Sequence, residues 1–531
     1  MQKRIVLNVA VFLLVLIGLL PVLVMLIKSV FVNGRLDVQA YRGLLVSARQ
    51  WTLMGHSFIL AGLVTLLTTL VGVPLGLLFA KSDFPWRNVF VFLFVIPLLL
   101  PPYVSAVSWF DLLGREGLLA PLLNPGVIRL IDQWLFGLPG CVFVLFSVFL
   151  PVPMILTMAF LKTVDVHLEE AARLTAGWGR VLKGITLPLI APGILLSALL
   201  IFLLTFGEFG VPEFLRYPVF PVESFTQFSA FYNFKAATAA ATPLAIVTLL
   251  ALLLEDLFLR ERTYQLRPVQ DTTHRAFIPL NKARPLLVSA VGVLAFFLVI
   301  LPFSALVLKS ASLTEYAQAL SKTGGSLRRS IEYAFMGATL LTIFGFFIGY
   351  LVQTKALKFW RSVDSMTLFL FALPGTVIGI GLIGLWNRPW TNFIYATPLI
   401  IVTGYLAKYT ALTSRITVTQ LAQVPPSMEE AAQMAGAGWL RRLIFIVAPL
   451  AGKGLLVAWI AGYIFSLRDT AITMIVYPAG HDTLPVRIFT LMANGSPELI
   501  AALCVILIAA TLIPAGLLFG ALRFKRREVA V

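Results

Sequence analysis

Runs of uninterrupted apolar residues decide what this chain can become. Val11–Ile27, Phe58–Ala80, Val89–Val107 and Leu286–Val307 are clear cases. Each is close to or above the roughly 18 residues that carry a helix across the hydrocarbon core of a bilayer. Lipid offers no partner to an open sheet edge, and a membrane barrel needs alternation rather than continuous apolar runs. Composition agrees: 59% of the residues are hydrophobic and mean hydropathy is +0.93. Only 12% are charged, against about 25% in a soluble domain. The fold class is therefore an all-α polytopic membrane protein.

Twelve spans are expected, at about 5–27, 54–80, 89–110, 138–161, 188–207, 236–258, 286–308, 331–353, 364–386, 394–413, 448–467 and 498–520. An even count puts both termini on one side. Lys3 and Arg4 at one end, and Arg523, Lys525, Arg526 and Arg527 at the other, place that side in the cytoplasm. The loop between spans six and seven carries Arg260, Arg262, Arg267, Arg275, Lys282 and Arg284 and falls on the same side. The net charge of +17 is thus a membrane-topology signal. With no basic stripe interleaved with aromatics, it does not point to nucleic acid. Cys141 and Cys504 lie in apolar segments and form neither a disulfide framework nor a metal spacing. The first apolar run follows basic residues as a signal peptide would. It is long and lacks a small-residue cleavage site, so a retained helix is expected.

The chain reads as an internal duplication. LPVLVMLIKS at 20–29 returns as LPFSALVLKS at 301–310. Gly72 and Gly76 pair with Gly345 and Gly349, Ile96-Pro97 with Leu373-Pro374, and Pro188 with Pro449. The order is the same in both halves, so the repeats are parallel, with a pathway expected between them. The glycine pairs suit close helix packing. The expected organisation is 1–53, first helix and outer loop; 54–259, first repeat domain; 260–285, cytoplasmic linker; 286–326, seventh helix and outer loop; 327–520, second repeat domain; and 521–531, basic tail.

A polar insert also occurs twice. Residues 169–188 read EEAARLTAGWGRVLKGITLP and residues 430–449 read EAAQMAGAGWLRRLIFIVAP. In the second copy Ser427-x-x-Glu430 has the capping-box pattern of a helix start. Glu429 and Glu430 suit the positive end of a helix dipole. Ala431 and Ala432 favour helix and leave a thin surface. Gly436 allows a sharp exit, and Pro449 opens the next span. In the first copy His167 stands at the capping position and Ala176 at the glycine position, with Gly177 next. Each insert reads as an exposed helix with a small-residue face, suited to a groove on another protein.

Glu-Ala-Ala, three residues, Gly, nine residues and Ile-x-Leu-Pro is similar to the cytoplasmic signature of binding-protein-dependent ABC-transporter permeases. The second copy fits at Glu430, Ala431, Ala432, Gly436, Ile446 and Pro449, and departs at Ala448. The first fits at Glu170, Ala171, Ala172, Ile185, Leu187 and Pro188. The resemblance covers nearly the whole chain and implies a type I ABC permease domain in each half. It makes Glu169, Glu170, Ala171, Ala172, Gly177, Glu429, Glu430, Ala431, Ala432 and Gly436 the coupling contacts to an ATP-binding subunit. The chain has no G-x-x-x-x-G-K-[ST] phosphate loop. It is therefore expected not to be an enzyme and to bind no cofactor or metal itself, with ATP on the partner. Two copies of that subunit, an external substrate-binding protein and the lipid bilayer are the implied partners. The implied place is a bacterial inner membrane.

Charged groups within spans are functional candidates by default. Glu208 follows Pro188 by twenty residues and Asp469 follows Pro449 by twenty. The matched acids are candidates for the substrate pathway, with Arg468 as a neutralising neighbour of Asp469. GEFG in one half and SLRD with YPAG in the other resemble iron(III) permeases, with thiamine, phosphonate and polyamine permeases as relatives. Carboxylates suit a hard cation, and they also suit polyamines and thiamine. A twelve-helix ion-coupled secondary transporter is the alternative from another class, but KSDFPWRN and KALKFWRS lack its loop signature. A membrane enzyme would need clustered catalytic groups, and His56, His167, His274 and His481 are scattered.

Overall fold

A computed structural model describes residues 2–32, 35–258 and 278–528. The linker arginines Arg260, Arg262, Arg267 and Arg275 lie outside the described residues. Helix dominates. The one strand pair among the described residues is a two-residue ladder, Phe31–Val32 with Arg35–Leu36.

Among the described residues eight helices are long and apolar enough to cross a membrane: Gln2–Val30, Ala48–Lys81, Leu138–Thr163, Trp178–Phe206, Phe234–Glu255, Asn281–Lys309, Leu313–Thr354 and Pro497–Leu518. Three further expected spans are broken. Arg87–Leu99 and Pro102–Leu113 meet at 100°, Trp360–Ala372 and Gly375–Trp386 at 107°, and Trp439–Leu450 and Gly452–Leu467 at 79°. Counting each pair once gives eleven spans. The straight spans expected at 89–110, 364–386 and 448–467 are corrected accordingly. Proline explains the first two breaks: Pro101 and Pro102 occupy one corner and Pro374 the other. Proline has no N–H to continue the ladder, and it pushes its predecessor out of the helical region. The segments after these corners are almost wholly buried. Every residue of Gly375–Trp386 except Leu385 is interior.

The expected tenth span is a helix, Leu399–Leu421, that starts and ends later than its apolar run suggested. It falls short of a membrane span by composition because it carries Lys408 and Arg415, and also Thr403, Thr410, Thr413, Ser414 and Thr417. Each of these hydroxyls donates to a carbonyl three or four residues back. A hydroxyl satisfied inside its own helix can be buried at little cost. This helix is interior, so lipid solubility never constrained its sequence.

The repeat is visible in packing. A Cβ on Gly72 would lie 2.5 Å from Pro153 Cγ, and one on Gly76 2.6 Å from the Met154 carbonyl. In the other half a Cβ on Gly345 would meet Thr413 Oγ1 at 2.2 Å, and one on Gly349 the Ser414 carbonyl at 2.8 Å. In both halves the second helix therefore packs its glycine pair against the helix that leads to the insert.

A second repeated device is local. Among the described residues four π-helical turns, Val15–Leu19, Leu182–Thr186, Phe296–Ile300 and Leu443–Val447, each end two residues before a proline. These are Pro21, Pro188, Pro302 and Pro449. The proline ring clashes with the carbonyl four residues back and leaves it without a donor. Widening one turn to a five-residue bond relieves both problems. Pro74, Pro192, Pro243 and Pro514 sit inside helices without such a turn, so proline permits the bulge but does not compel it.

The described chain forms two compact units. One contains residues 1–48, 223–245 and 312–531; the other contains 49–222 and 246–311. Each repeat is thus built with the leading helix of the other. In the unit of the second repeat, the Lys28 ammonium of the first span donates to the Gly384 carbonyl. A Cβ on Gly18 would strike Leu370 at 2.4 Å. In the unit of the first repeat, Val291, Ala295, Leu298 and Val299 of the seventh span share a core with Leu75, Phe79 and Phe94. The core around Cys141, Leu145 and Val211 also takes in Ala305.

Candidate functional site

The first insert is a helix, Val166–Arg173, followed by a turn and Trp178–Val181. The second is Pro426–Met434, followed by Trp439–Arg442. Their starts reverse the expectation. Ser427 makes no cap: Pro425 stands at that position with no side-chain bond, and Pro426 opens the helix. The fixed φ of proline at the first turn replaces the hydroxyl. In the first copy Asp165 caps, its carboxylate accepting the His167 N–H at 3.0 Å.

The exits differ as well. Gly436 adopts φ +82°, the left-handed conformation that lets a helix stop within one residue. Gly177 is extended, with φ −73° and ψ 159°, and begins the next helix instead. The first turn is held by Arg173, whose guanidinium lies 4.8 Å from the centre of the Trp178 ring and whose Nη1 reaches the Ala176 carbonyl at 3.4 Å.

The paired glutamates divide their work. Glu169 is fully buried, with an ion pair to Lys81 Nζ at 2.5 Å and a bond from Thr186 Oγ1 at 2.8 Å. It ties the insert helix to the end of the second span and the start of the fifth. Glu429 is anchored by different residues on the equivalent helices. Tyr350 OH donates to it at 3.1 Å, and Arg442 Nε lies at 3.8 Å. Trp439 Nε1 donates to Tyr350 OH at 3.2 Å, and Lys3 Nζ stands 5.1 Å from the Tyr350 ring centre. Glu170 and Glu430 point outward and are exposed. Glu170 has His167 Nδ1 at 3.8 Å on the same helix.

The outer face is not built from small residues alone. Leu174 is 88% exposed and Met434 89%; Leu168 is 51% exposed and Met428 49%. These are matched positions: each pair lies two residues before and four after the exposed glutamate. Reading for small residues passed over them, although their equal spacing in both copies is itself a sequence signal. Exposed apolar side chains beside Ala171, Ala172, Ala431 and Ala432 suit an apolar cleft on a partner.

The candidate pathway acids share a structural task. Glu208 Oε1 accepts the N–H groups of Gly210 at 2.9 Å and Val211 at 3.4 Å, capping Gly210–Phe214. Asp469 is buried, and its Oδ1 accepts from Ile472 N, Thr473 N and Thr473 Oγ1. Its Oδ2 accepts from Tyr409 OH at 2.7 Å. Each acid therefore starts the short helix that follows its half's fifth long helix. The Arg468 guanidinium lies over the Phe465 ring at 4.8 Å. Among the described residues no three His, Cys, Asp or Glu side chains gather as a metal site requires.

Two helical repeats, each carrying the same anchored polar helix, are the layout of a membrane transport permease. Residues 72–261 match the family of binding-protein-dependent transport system inner membrane components. The chain is similar to a putative ferric transport system permease protein FbpB of Haemophilus influenzae, 24% identical over 458 residues. That alignment spans 82% of this chain and 71% of the relative. The ferric transport system permease protein FbpB of Actinobacillus pleuropneumoniae is 23% identical over 451 residues, 81% of this chain and 65% of the relative. The molybdenum transport system permease protein ModB of Escherichia coli is 34% identical over 156 residues, 28% of this chain and 65% of that protein.

Proposed function

We propose that this chain is the translocation subunit of an ATP-driven importer of ferric iron. The observation that carries the transport mechanism is the duplicated insert. In each copy one glutamate is locked inward while the next, with two large apolar neighbours, faces out. An inward lock transmits force to the membrane helices, and an outward knob receives it. In this reading Val166–Arg173 and Pro426–Met434 each dock on one of two ATP-binding subunits, where ATP is bound and hydrolysed. An external binding protein delivers the substrate on the opposite side. With Leu399–Leu421 as a twelfth crossing beside the eleven spans, both termini and both inserts face the cytoplasm.

Iron is favoured over molybdate by extent rather than percentage. Likeness to the ferric permeases runs through both halves, whereas likeness to the molybdenum permease is confined to a segment of 156 residues. Glu208 and Asp469 serve the pathway by holding its loop helices in shape, since the Asp469 oxygens are already engaged by protein donors. The test is uptake by the complete system in proteoliposomes, with ferric iron and molybdate supplied on their binding proteins. ATP-dependent uptake of iron alone is expected. The double variant Glu170→Lys with Glu430→Lys should abolish uptake while the protein stays folded in the membrane. Normal uptake by that variant would overturn the coupling assignment, and molybdate uptake would overturn the substrate.

A further inference from the structure

One helix that does not span has a surface the transport mechanism leaves unused. Pro125–Leu135, PGVIRLIDQWL, joins the third and fourth spans at the end of the fourth span away from the insert. Its surface divides into three sectors. Leu135 is fully buried, and Asp132, 13% exposed, pairs with Arg115 at 2.7 Å, so one sector is fixed to the protein. Arg129 and Gln133 are exposed on a second, polar sector. Val127, Leu130 and Trp134, at i, i+3 and i+7, form a third that is apolar and exposed by 41%, 67% and 41%.

The chain fixes the depth of this third sector. Gly137, at φ +117° and with its N–H on the Leu215 carbonyl at 2.9 Å, turns the helix into the fourth span. Beyond that corner the Trp134 ring comes back to lie 5.4 Å, centre to centre, from Phe143. Phe143 is five residues inside Leu138–Thr163, which is about 8 Å along the span. The exposed part of Trp134 is therefore level with the first turns of a membrane helix, where the surroundings are lipid. A water-facing sector next to an apolar one is what a helix lying along the boundary presents. Tryptophan at that level is the residue such boundaries favour.

We propose that Pro125–Leu135 lies in the plane of the membrane interface. Val127, Leu130 and Trp134 rest among the acyl chains of bilayer phospholipid, and Arg129 and Gln133 sit at the headgroups. Through the Asp132–Arg115 pair and Leu135, this contact pins the loop between the third and fourth spans to the bilayer surface. The proposal rests on the membrane topology and not on which substrate is carried.

The test is site-directed spin labelling of the full chain in nanodiscs of phosphatidylethanolamine and phosphatidylglycerol. Val127→Cys, Leu130→Cys, Trp134→Cys, Arg129→Cys and Gln133→Cys are labelled one at a time. Cys141 and Cys504 are buried and stay in place, with the unsubstituted chain as the blank. Labels at 127, 130 and 134 should collide more with oxygen than with an aqueous nickel relaxant, and labels at 129 and 133 the reverse. If Trp134→Cys does not fold, Leu130→Cys decides. Equal aqueous access at all five positions would overturn the proposal. So would labels at 127 and 130 that are open to water until the binding protein is added, because the apolar face would then be a protein dock.

Discussion

At the scale of single residues, adjacent glutamates have opposite duties. Glu169 is an internal strut and Glu170 an external contact, although they are neighbours of identical chemistry. Removing one partner of a buried ion pair costs about 3–5 kcal/mol, because the other charge is left without compensation. Glu169→Gln should therefore lower the unfolding temperature in detergent sharply, and Lys81→Met with Glu169→Gln should recover much of the loss. Glu170→Gln should move stability by no more than about 0.5 kcal/mol while still reducing uptake. Equal thermal effects of the two single changes would show that the inward lock is not as described. A second residue-scale prediction concerns Asp469. Asp469→Ala strands Tyr409 OH and the N–H groups of Ile472 and Thr473, at about 1–3 kcal/mol for each buried donor. Tyr409→Phe alone should cost far less, since it removes a donor and leaves the carboxylate three others. Thermal unfolding of the two variants separates these outcomes.

At the scale of elements, the same problems are solved twice by different residues. The first insert is capped by Asp165 and its turn held by Arg173 on Trp178; the second is opened by Pro426 and closed by Gly436. The second-to-fourth helix contact is solved the same way in both halves, with two glycines packed against backbone and side-chain atoms of the facing helix. Gly76→Leu and Gly345→Leu should each force their helix pair apart, with destabilisation of about 1–3 kcal/mol or more from overpacking. Gly177→Ala should be nearly neutral, because a Cβ there meets nothing within 4 Å and the backbone is extended. Gly436→Ala carries a left-handed conformation and should cost about 1–2 kcal/mol. Chemical denaturation of the four variants checks this ranking, and a costly Gly177→Ala would contradict it.

At the scale of the molecule, each compact unit depends on a helix that is remote in sequence. The first span belongs with the second repeat and the seventh with the first. The buried cysteines report on the units separately: Cys141 lies in the first-repeat unit and Cys504 in the second-repeat unit. Deleting residues 1–31 should make Cys504 reactive to a thiol reagent while Cys141 stays protected. Replacing the apolar face of the seventh span, through Ala295→Asp with Val299→Asp, should do the reverse. Protection of Cys504 in the deletion variant would show that the first span is dispensable to that unit.

The linear order of residues determined a good deal by itself. Continuous apolar runs required transmembrane helices, because lipid cannot satisfy an open backbone. Matched prolines, glycines and inserts disclosed the duplication and the outward-facing loops. These are short-range signals, complete within a few turns of chain. What the tertiary structure alone decided lies at longer range. Nothing in the sequence said that Glu169 meets Lys81, that the third and ninth spans turn through a right angle at their prolines, or that the two leading helices trade places. Lipid tails are as apolar as a protein core, so burial leaves a weak mark on a membrane helix. Which apolar faces meet was settled by the fit of glycines against backbone, and by the few polar groups that had to find one another inside.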